Sequence, residues 1–343
     1  MSMSATDTRT LLGVKKVLPK FTPLFIQMFF PTVVTFETKE IAFDKIKKGV
    51  KLAPFVSPVV AGKPRRKQGG KLTSFEPAYV KPTDDVDYDM LLKRQAGEAM
   101  GGELNPAQRR NAVITQMLMD QEDSITYREE WMAVQGVFYG QVTVQGEDYP
   151  TQVVDYGRDA GNNITLAGAA KWDTVDPATY DPTDDIEDWA EKASGTVGRL
   201  IFDKYGWRKF SSFQAVKDKL DNTQRGGASS LELGPQLQKE VMFKGYFGEY
   251  EVWVYVGKYT NDDGNDEYYM PANSLLLAPL ATDNVMAYGA IRDAKAAASG
   301  LVATTRWPKN WFIEDPSSER LQTQSAPLPV LFDADEFVGV TLF

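Results

Sequence analysis

Residues 105–140 of this 343-residue chain read NPAQRRNAVITQMLMDQEDSITYREEWMAVQGVFYG, and they predict one long helix. Asn105 is a good N-cap and Pro106 suits the first helical position, while Gly140 marks the end. The apolar residues that recur near helical spacing are Ile114, Met117, Leu118, Ile125, Met132 and Phe138. A helix of about 104–139 would be roughly 50 Å long, more than the width of a small domain. The helix is therefore expected to act as a spine across the molecule.

Residues 1–42, before this helix, have the pattern of an extended arm. Pro19, Pro23 and Pro31 forbid a long helix there, and Thr32–Phe36 gives a short strand signal. The chain starts without a basic segment followed by an apolar run, so no secretory signal is predicted. The apolar run 21–36 holds two prolines and is shorter than the roughly 20 residues that a membrane span needs. We expect a buried or partner-covered arm on a protein made and kept in a cytosol.

Residues 43–88 predict a long β-hairpin, the extended loop. Its strand-like runs are Val50–Ala61 and Lys71–Lys81, and glycine, proline and basic residues separate them. The basic side chains at the tip are Lys63, Arg65, Arg66, Lys67 and Lys71. Such a tip can contact nucleic acid, but a solvated loop or a contact with acidic protein is more common. All three interpretations stay open from the sequence alone.

Strands and helices mix after the spine helix without a regular βαβ period. A hairpin is predicted over 141–156, and strands are predicted near 197–202, 250–259, 274–278 and 327–332. Asp181-Pro182-Thr183 followed by Asp184 and Asp185 indicates a helix start, because acidic residues favour the first helical turn. Another helix is expected to begin at Ser211 or Ser212 and to end at Lys219. The predicted fold class is α+β.

The composition removes several kinds of active site. The chain has no Cys and no His, so it can hold neither a disulfide nor a Ser-His-Asp or Cys-His catalytic site. The nucleotide-binding patterns Gly-x-x-x-x-Gly-Lys and Gly-x-Gly-x-x-Gly are also absent. The acidic turn Asp262-Asp263-Gly264 lacks the spacing of a calcium loop. Carboxylate pairs, Lys and Tyr remain available, so the composition does not exclude an enzyme. We nevertheless expect no enzyme, no catalytic or metal-binding residues and no cofactor.

Charge is distributed unevenly along the chain. Residues 1–71 hold 14 Lys and Arg against 4 Asp and Glu, a net +10, which leaves −19 for the rest of a chain of net charge −9. This distribution suggests that the basic end of one copy docks on the acidic body of another. The alternative is that the basic segment folds back on its own subunit.

Ten short segments, taken in order and spacing, resemble the lambda-type major capsid protein family (major capsid protein E). They are Pro23-Leu24-Phe25-Ile26, Phe29-Phe30, Tyr79-Val80-Lys81-Pro82, Asn162-Asn163-Ile164-Thr165, Thr179 to Glu187, Gly206-Trp207, Ala215 to Asp221, Pro308-Lys309-Asn310-Trp311, Gln324 to Leu328, and Asp335-Glu336-Phe337-Val338. Each segment alone is weakly specific, whereas the collinear set is highly specific and runs along the whole chain.

The resemblance implies the Hong Kong 97-like capsid fold and a role in building a phage head. Its parts would be the N-terminal arm (1–42), the extended loop (43–88), a peripheral domain with the spine helix (89–170), an axial domain (171–325) and a return strand to the peripheral domain (326–343). Hexamers and pentamers would close into an icosahedral shell around double-stranded DNA, without sequence-specific DNA binding and without a membrane. The implied partners are a separate scaffolding protein and prohead protease, a portal and a decoration protein.

The expected inter-subunit contacts follow from the arm, the basic tip and the acidic helix start. The candidates are Phe25, Phe29, Phe30, Lys63, Arg65, Arg66, Lys67, Lys71, Asp184 and Asp185. Two other functions compete with shell formation: a phage tail or decoration component, and an enzyme that uses carboxylates. A deep pocket that gathers acidic side chains would favour the enzyme.

Overall fold

The computed structural model describes residues 23–45, 71–87, 105–146, 149–221, 240–261, 263–315 and 318–343. Its helices are α1 (Leu24–Phe29), α2 (Pro106–Tyr139), α3 (Thr183–Ala190), α4 (Lys204–Phe210), α5 (Gln214–Lys219) and α6 (Ala294–Ala298). Its strands are β1 (Thr32–Thr35), β2 (Ile41–Lys45), β3 (Lys71–Phe75), β4 (Thr83–Asp87), β5 (Gln141–Gly146), β6 (Tyr149–Asp155), β7 (Asn163–Thr165), β8 (Arg199–Phe202), β9 (Leu220–Asp221), β10 (Val241–Phe247), β11 (Tyr250–Tyr255), β12 (Lys258–Thr260), β13 (Asp266–Tyr268), β14 (Ser274–Ala278), β15 (Val285–Tyr288), β16 (Trp307–Ile313), β17 (Ser318–Gln324), β18 (Pro327–Val330) and β19 (Val338–Thr341).

The predicted long helix is confirmed as α2, which has 34 residues. The Asn105 side chain accepts a hydrogen bond from the Gln108 amide at 2.8 Å, and the Gln108 side chain accepts one from the Asn105 amide at 2.9 Å. This capping box satisfies two backbone donors at the start of the helix. Gly140 ends the helix with a φ of 72°, a conformation that glycine adopts without steric cost. Local capping chemistry therefore fixes both ends of the spine helix.

A seven-stranded sheet forms the larger layer of the fold. Its strand order is β7-β19-β14-β8-β11-β10-β9. All five residues of the interior strand β14 are buried, which agrees with the uninterrupted apolar run Leu275-Leu276-Leu277. On one side, α3, α4 and α5 contribute to an aromatic core around Trp172, which is 0% exposed. A second core gathers α1, α2, β15 and β18. Helices and sheets together confirm the α+β class.

Two three-stranded sheets lie beside the long helix. One has the order β1-β15-β18, in which the arm strand β1 runs parallel to β15. The other has the order β16-β17-β4, and its apolar residues Val86 and Leu321 pack on Val113, Ile114 and Leu118 of α2. The long helix therefore joins the arm, the hairpin β16–β17 and the core.

Only the base of the extended loop lies within the described residues. β2 pairs with β3 in an antiparallel register that sets Ile41 opposite Phe75 and Lys45 opposite Lys71. The predicted first strand, Val50–Ala61, and the tip with Lys63, Arg65, Arg66 and Lys67 lie outside the described residues. The predicted second strand is shorter than expected, since β3 ends at Phe75, just before Glu76-Pro77.

The C-terminal segment contributes strands to three sheets. The last strand, β19, lies between β14 and β7 in the seven-stranded sheet, and its Gly339 approaches the Phe138 carbonyl at the end of α2. In the hairpin β16–β17, Leu321 of β17 packs on α2. The division into peripheral and axial domains remains a prediction. The helix expected to start at Ser211 or Ser212 begins instead at Gln214, because Ser211 closes the preceding helix α4. None of the described helices is long and apolar enough to cross a membrane.

Candidate functional site: the arm and its anchorage

The arm segment 23–30 is anchored in the core of its own chain. Phe25 and Phe29 are fully buried and Phe30 is 2% exposed. The Phe29 ring packs edge-on against Phe337 at 5.2 Å between centroids, and the Phe25 ring lies 5.5 Å from that of Tyr255. These rings leave no surface for a neighbouring copy in this conformation. In this conformation they hold the arm to its own subunit, and their role as inter-subunit contacts remains a prediction.

A buried carboxylate on the long helix binds the start of α1. Glu130 accepts hydrogen bonds from the amides of Phe25 at 2.9 Å and Ile26 at 3.1 Å, and from the Tyr255 hydroxyl at 3.0 Å. These amides are among the unpaired donors at a helix start, so the carboxylate replaces an N-cap that Pro23 cannot supply. Burial raises the pKa of Glu130 to about 7, although the hydrogen bonds from Phe25, Ile26 and Tyr255 act to lower it.

Beyond α1, the arm continues as an exposed edge strand. β1 pairs on one side with β15, and the Val33 side chain is 55% exposed. The Thr282 hydroxyl donates to the Phe29 carbonyl at 2.8 Å and so fixes the joint between α1 and β1. Within the described part of the chain, the outer edge of β1 has no strand partner. Unpaired strand edges are places where another chain can add a strand.

An ion pair inside the protein joins the hairpin β16–β17 to the long helix. Arg306, which is 4% exposed, donates from Nη1 and Nη2 to the two carboxylate oxygens of Glu129 at 2.6 and 2.7 Å. It also donates to the Ser325 hydroxyl at 3.0 Å, and its guanidinium lies over the Tyr288 ring. Burial acts to lower the pKa of Arg306, but the Glu129 carboxylate outweighs burial and raises that pKa.

A second arginine holds the far end of the long helix. Arg158 donates to the carbonyls of Phe138 at 2.6 Å and Ala334 at 2.9 Å, and also to the Val137 carbonyl. These are terminal carbonyls of α2 that the helix itself leaves unpaired, together with a carbonyl of the C-terminal segment. A Cβ at Gly140 would lie 2.6 Å from the Arg158 Cβ, so glycine is also needed there for space.

The acidic residues at the start of α3 have different surroundings. Asp184 is exposed, whereas Asp185 is half-buried. The Asp185 carboxylate accepts hydrogen bonds from the Trp172 indole nitrogen at 2.9 Å and from the Tyr180 hydroxyl. Asp185 is thus committed to the aromatic core of its own chain, and of the two only Asp184 is free to meet a partner.

Replacement of Asp185 by asparagine should lower the free energy of unfolding by about 1–3 kcal/mol. Both donors bind the same carboxylate oxygen, and an uncharged amide oxygen in its place accepts each hydrogen bond more weakly. The matched change Asp184→Asn, on the exposed neighbour, should have little effect. Urea denaturation followed by tryptophan fluorescence measures both. Equal losses in the two variants would contradict the assignment of Asp185 to the core.

The basic residues of the extended-loop tip cannot be placed, since 46–70 lie outside the described residues. The backbone of Lys71 begins β3 at the root of the loop. The association of the basic tip with Asp184 therefore remains a prediction.

A cavity of about 340 Å³ lies near the end of α2. Arg158 is the one basic side chain of its lining, and its guanidinium nitrogens already bind carbonyl oxygens. The lining holds a single carboxylate, that of Asp155, rather than a cluster of acids. No group of three His, Cys, Asp or Glu that could bind a metal is present in the described ranges. The described hydrogen bonds and ion pairs join segments of the chain to one another.

Comparison with known proteins accounts for this arrangement. The family model described as phage major capsid protein E matches residues 7–342. The major capsid protein of Escherichia phage N15 is 43% identical over 342 residues, which cover 99% of this chain and 100% of the relative. The major capsid protein of Escherichia phage lambda is 41% identical, with the same coverage.

Solved structures agree with the sequence comparison. A crystal structure described as a capsid protein of a prophage from E. coli CFT073 superposes with a TM-score of 0.80 at 32% identity and covers 100% of both chains. The capsid structure of cyanophage P-SCSP1u, at 10% identity, shares the fold with a TM-score of 0.50 over 94% of this chain and 90% of its own. The expected Hong Kong 97-like capsid fold is confirmed, and the chain belongs to the phage major capsid protein E family.

Proposed function

We propose that this chain forms hexamers and pentamers that close into the icosahedral head of a tailed double-stranded DNA phage. The observation that carries the proposal is the agreement over the full length of the chain, in sequence and in structure, with phage capsid proteins. In a closed shell, each subunit must bind several other copies of the same chain through different surfaces. The exposed edge of β1 and the root of the extended loop offer two such surfaces.

Electron microscopy of the expressed protein tests this function directly. We expect negative-stain images to show shells, tubes or six-membered rings, either for the protein alone or after addition of the scaffolding protein of its phage. Dispersed monomers under both conditions would contradict shell formation. That result would bring back the carboxylate-based enzyme as the alternative.

The partners of the chain follow from the same proposal. A separate scaffolding protein and a prohead protease would act during assembly in the cytoplasm of the bacterial host, and a portal would occupy one vertex. A decoration protein would bind the outer surface. The DNA would be enclosed without sequence-specific contacts. A chain of net charge −9 also offers phosphates little general attraction.

The charge distribution supports attraction between neighbouring subunits. Residues 1–71 carry +10 and the remaining residues carry −19. We propose that Lys63, Arg65, Arg66, Lys67 and Lys71 meet the acidic body of an adjacent copy, with the exposed Asp184 as a candidate partner. Many weak contacts of this kind add up in a closed shell, because each subunit makes several at once.

Reversal of charge in the triple variant Arg65→Glu, Arg66→Glu and Lys67→Glu should impair shell assembly or maturation. The physical reason is that attraction between the loop tip and an acidic surface becomes repulsion. The yield of shells, measured by sedimentation and electron microscopy, should fall at least several-fold.

A second triple variant controls for the change in net charge. It carries Glu at Lys192, Lys217 and Lys258, three exposed lysines on the body of the protein. Both variants change the net charge by the same amount, but only the loop variant should reduce the yield. Normal shells from the loop variant, or the same loss in both, would contradict a specific role of the tip.

A further inference from the structure

The contact between the arm and the long helix depends on a buried carboxylate without a cationic partner. Glu130 is 0% exposed and binds the Phe25 and Ile26 amides and the Tyr255 hydroxyl, all of them uncharged donors. Among the ion pairs of the described residues, none includes Glu130. Its neighbour in sequence, Glu129, instead shares two hydrogen bonds with Arg306. A buried carboxylate without a cation favours its neutral form, since burial penalises the charge.

In the described part of the chain, the groups that contact Glu130 carry no positive charge. Segment 23–30 of the arm has no ionisable side chain. The neighbouring β11 contributes Tyr255, and the segment after β13 contributes Tyr269, whose ring stacks on Tyr255. Burial, and then the Glu130 carboxylate, raise the pKa of both tyrosines, so both remain neutral over the physiological range. Glu240, which is negative, also acts on these two tyrosines.

Opening of the arm would change these surroundings completely. When segment 23–30 leaves, Glu130 loses the Phe25 and Ile26 amides as well as the side chains that exclude water. Its carboxyl group then returns towards ordinary solution behaviour. The Glu130 carboxyl group therefore has a different proton affinity in the docked and open states. Proton binding must then shift the equilibrium between these states.

We propose that Glu130 is a proton-controlled latch, which holds the arm segment 23–30 against the long helix more tightly when its carboxyl group carries a proton. The latch acts within one subunit, so it does not depend on any contact of the arm with another copy. In a protein that assembles, it would make the arm easiest to release where the carboxyl group is ionised.

The direction of the pH dependence follows from linkage. The docked state has a raised pKa of about 7 for Glu130, against an ordinary value of 4.5. The extra stability that protonated Glu130 gives to the docked arm is therefore fully present below pH 4.5. This contribution is lost as the pH rises through 7. Between these limits the opening constant should rise about tenfold per pH unit, and from pH 5.5 to 8 it should rise about 25-fold.

Hydrogen exchange of the soluble full-length subunit, read by mass spectrometry, measures this opening. Exchange rates of peptides that cover residues 23–30 are corrected for the intrinsic pH dependence of amide exchange. We expect arm protection to fall by about 25-fold from pH 5.5 to 8. A peptide that covers the buried strand β14 serves as the internal reference, and its corrected protection should not follow the same curve.

Two variants separate the latch from general loosening. Glu130→Gln removes the titrating group. The hydrogen-exchange protection of the arm should then be the same at every pH in this range, even if it differs from that of the wild type. Tyr255→Phe removes one donor to the carboxylate and keeps the ring beside Phe25, so the midpoint of the pH dependence should move upward. Glu319→Gln removes a carboxylate that is paired with Arg110, and it should leave the pH profile of the arm as in the wild type.

Either of two results would overturn the proposal. One is wild-type arm protection that does not change between pH 5.5 and 8. The other is the same pH dependence in Glu130→Gln as in the wild type. If Glu130→Gln does not fold, Tyr255→Phe provides the test. An unchanged or lower midpoint in the pH dependence of arm protection would contradict the latch. Shell formation is measured separately, so loss of the latch and failure of the proposed function remain distinguishable.

Discussion

Truncation of Phe29 to alanine should lower the free energy of unfolding by about 3–5 kcal/mol, the range for a phenylalanine removed from a packed core. The ring is fully buried and lies edge-on to Phe25 and Phe337, at centroid distances of 5.5 and 5.2 Å. Its loss would leave a cavity between the arm, the core and the C-terminal segment. We expect the arm to detach at a lower urea concentration than the rest of the protein.

The same substitution on an exposed phenylalanine is the matched control. Phe312, near the end of β16, is 69% exposed. Phe312→Ala should change the stability of the soluble subunit little, since a mostly hydrated ring buries little area on folding. Urea denaturation by tryptophan fluorescence, with proteolysis of the arm as a second readout, compares the two variants. Equal stabilities would show that the arm phenylalanines are not anchors of their own subunit.

The parts of the fold that local chemistry determines could be predicted from the sequence. Asn105, Pro106 and Gly140 define the ends of α2, and Thr32–Thr35 has a β-branched pattern that forms a strand. Strands β16 and β17 could not be predicted in this way. The buried face of β17 includes Glu319 and Thr323, whose partners Arg110 and Gln121 lie about 200 residues away on α2. The polar residues of β17 therefore give no sequence signal of a buried strand, because its burial depends on tertiary contacts with α2.

The residues that anchor the arm could not be predicted for the same reason, although one signal was present. Leu118, Gln121, Ile125, Glu129 and Met132 follow one another at steps of three or four residues, so they share one face of α2. The apolar members predict that this face is buried, and the polar members on it must then have buried partners. Glu130 lies next to this face, and the sequence does not show that a distant arm supplies its donors.

The contact of the arm phenylalanines with other subunits remains a prediction, although this chain buries the three rings in its own core. Prolines and apolar residues in 19–36 indicate an extended segment that needs cover, but they do not say which chain provides it. In the structure the cover comes from α2, β11 and the segment around Phe337. Lys63, Arg65, Arg66 and Lys67 remain candidates for contacts between copies, and the loop variant described above tests three of them.

Replacement of Arg306 by methionine should lower the free energy of unfolding by about 3–5 kcal/mol, because it leaves a carboxylate buried without its cation. Glu129 is 3% exposed and has both carboxylate oxygens bound to Arg306. The Ser325 hydroxyl also loses a donor. The joint between the long helix and the hairpin β16–β17 should therefore open first, and exchange of hairpin amides should show it.

The double variant Arg306→Met with Glu129→Met separates the pair from the isolated charge. Replacement of both partners by apolar residues of similar size is often close to neutral, because the cost of burying two charges disappears together with their attraction. We expect the double variant to recover most of the loss seen in Arg306→Met. Arg320→Met removes the cation of the half-exposed pair with Asp85 and serves as the control for loss of a surface charge. If the double variant is as unstable as the single one, then Arg306 stabilises the joint through its packing over the Tyr288 ring and its other contacts, and not by compensating the buried carboxylate.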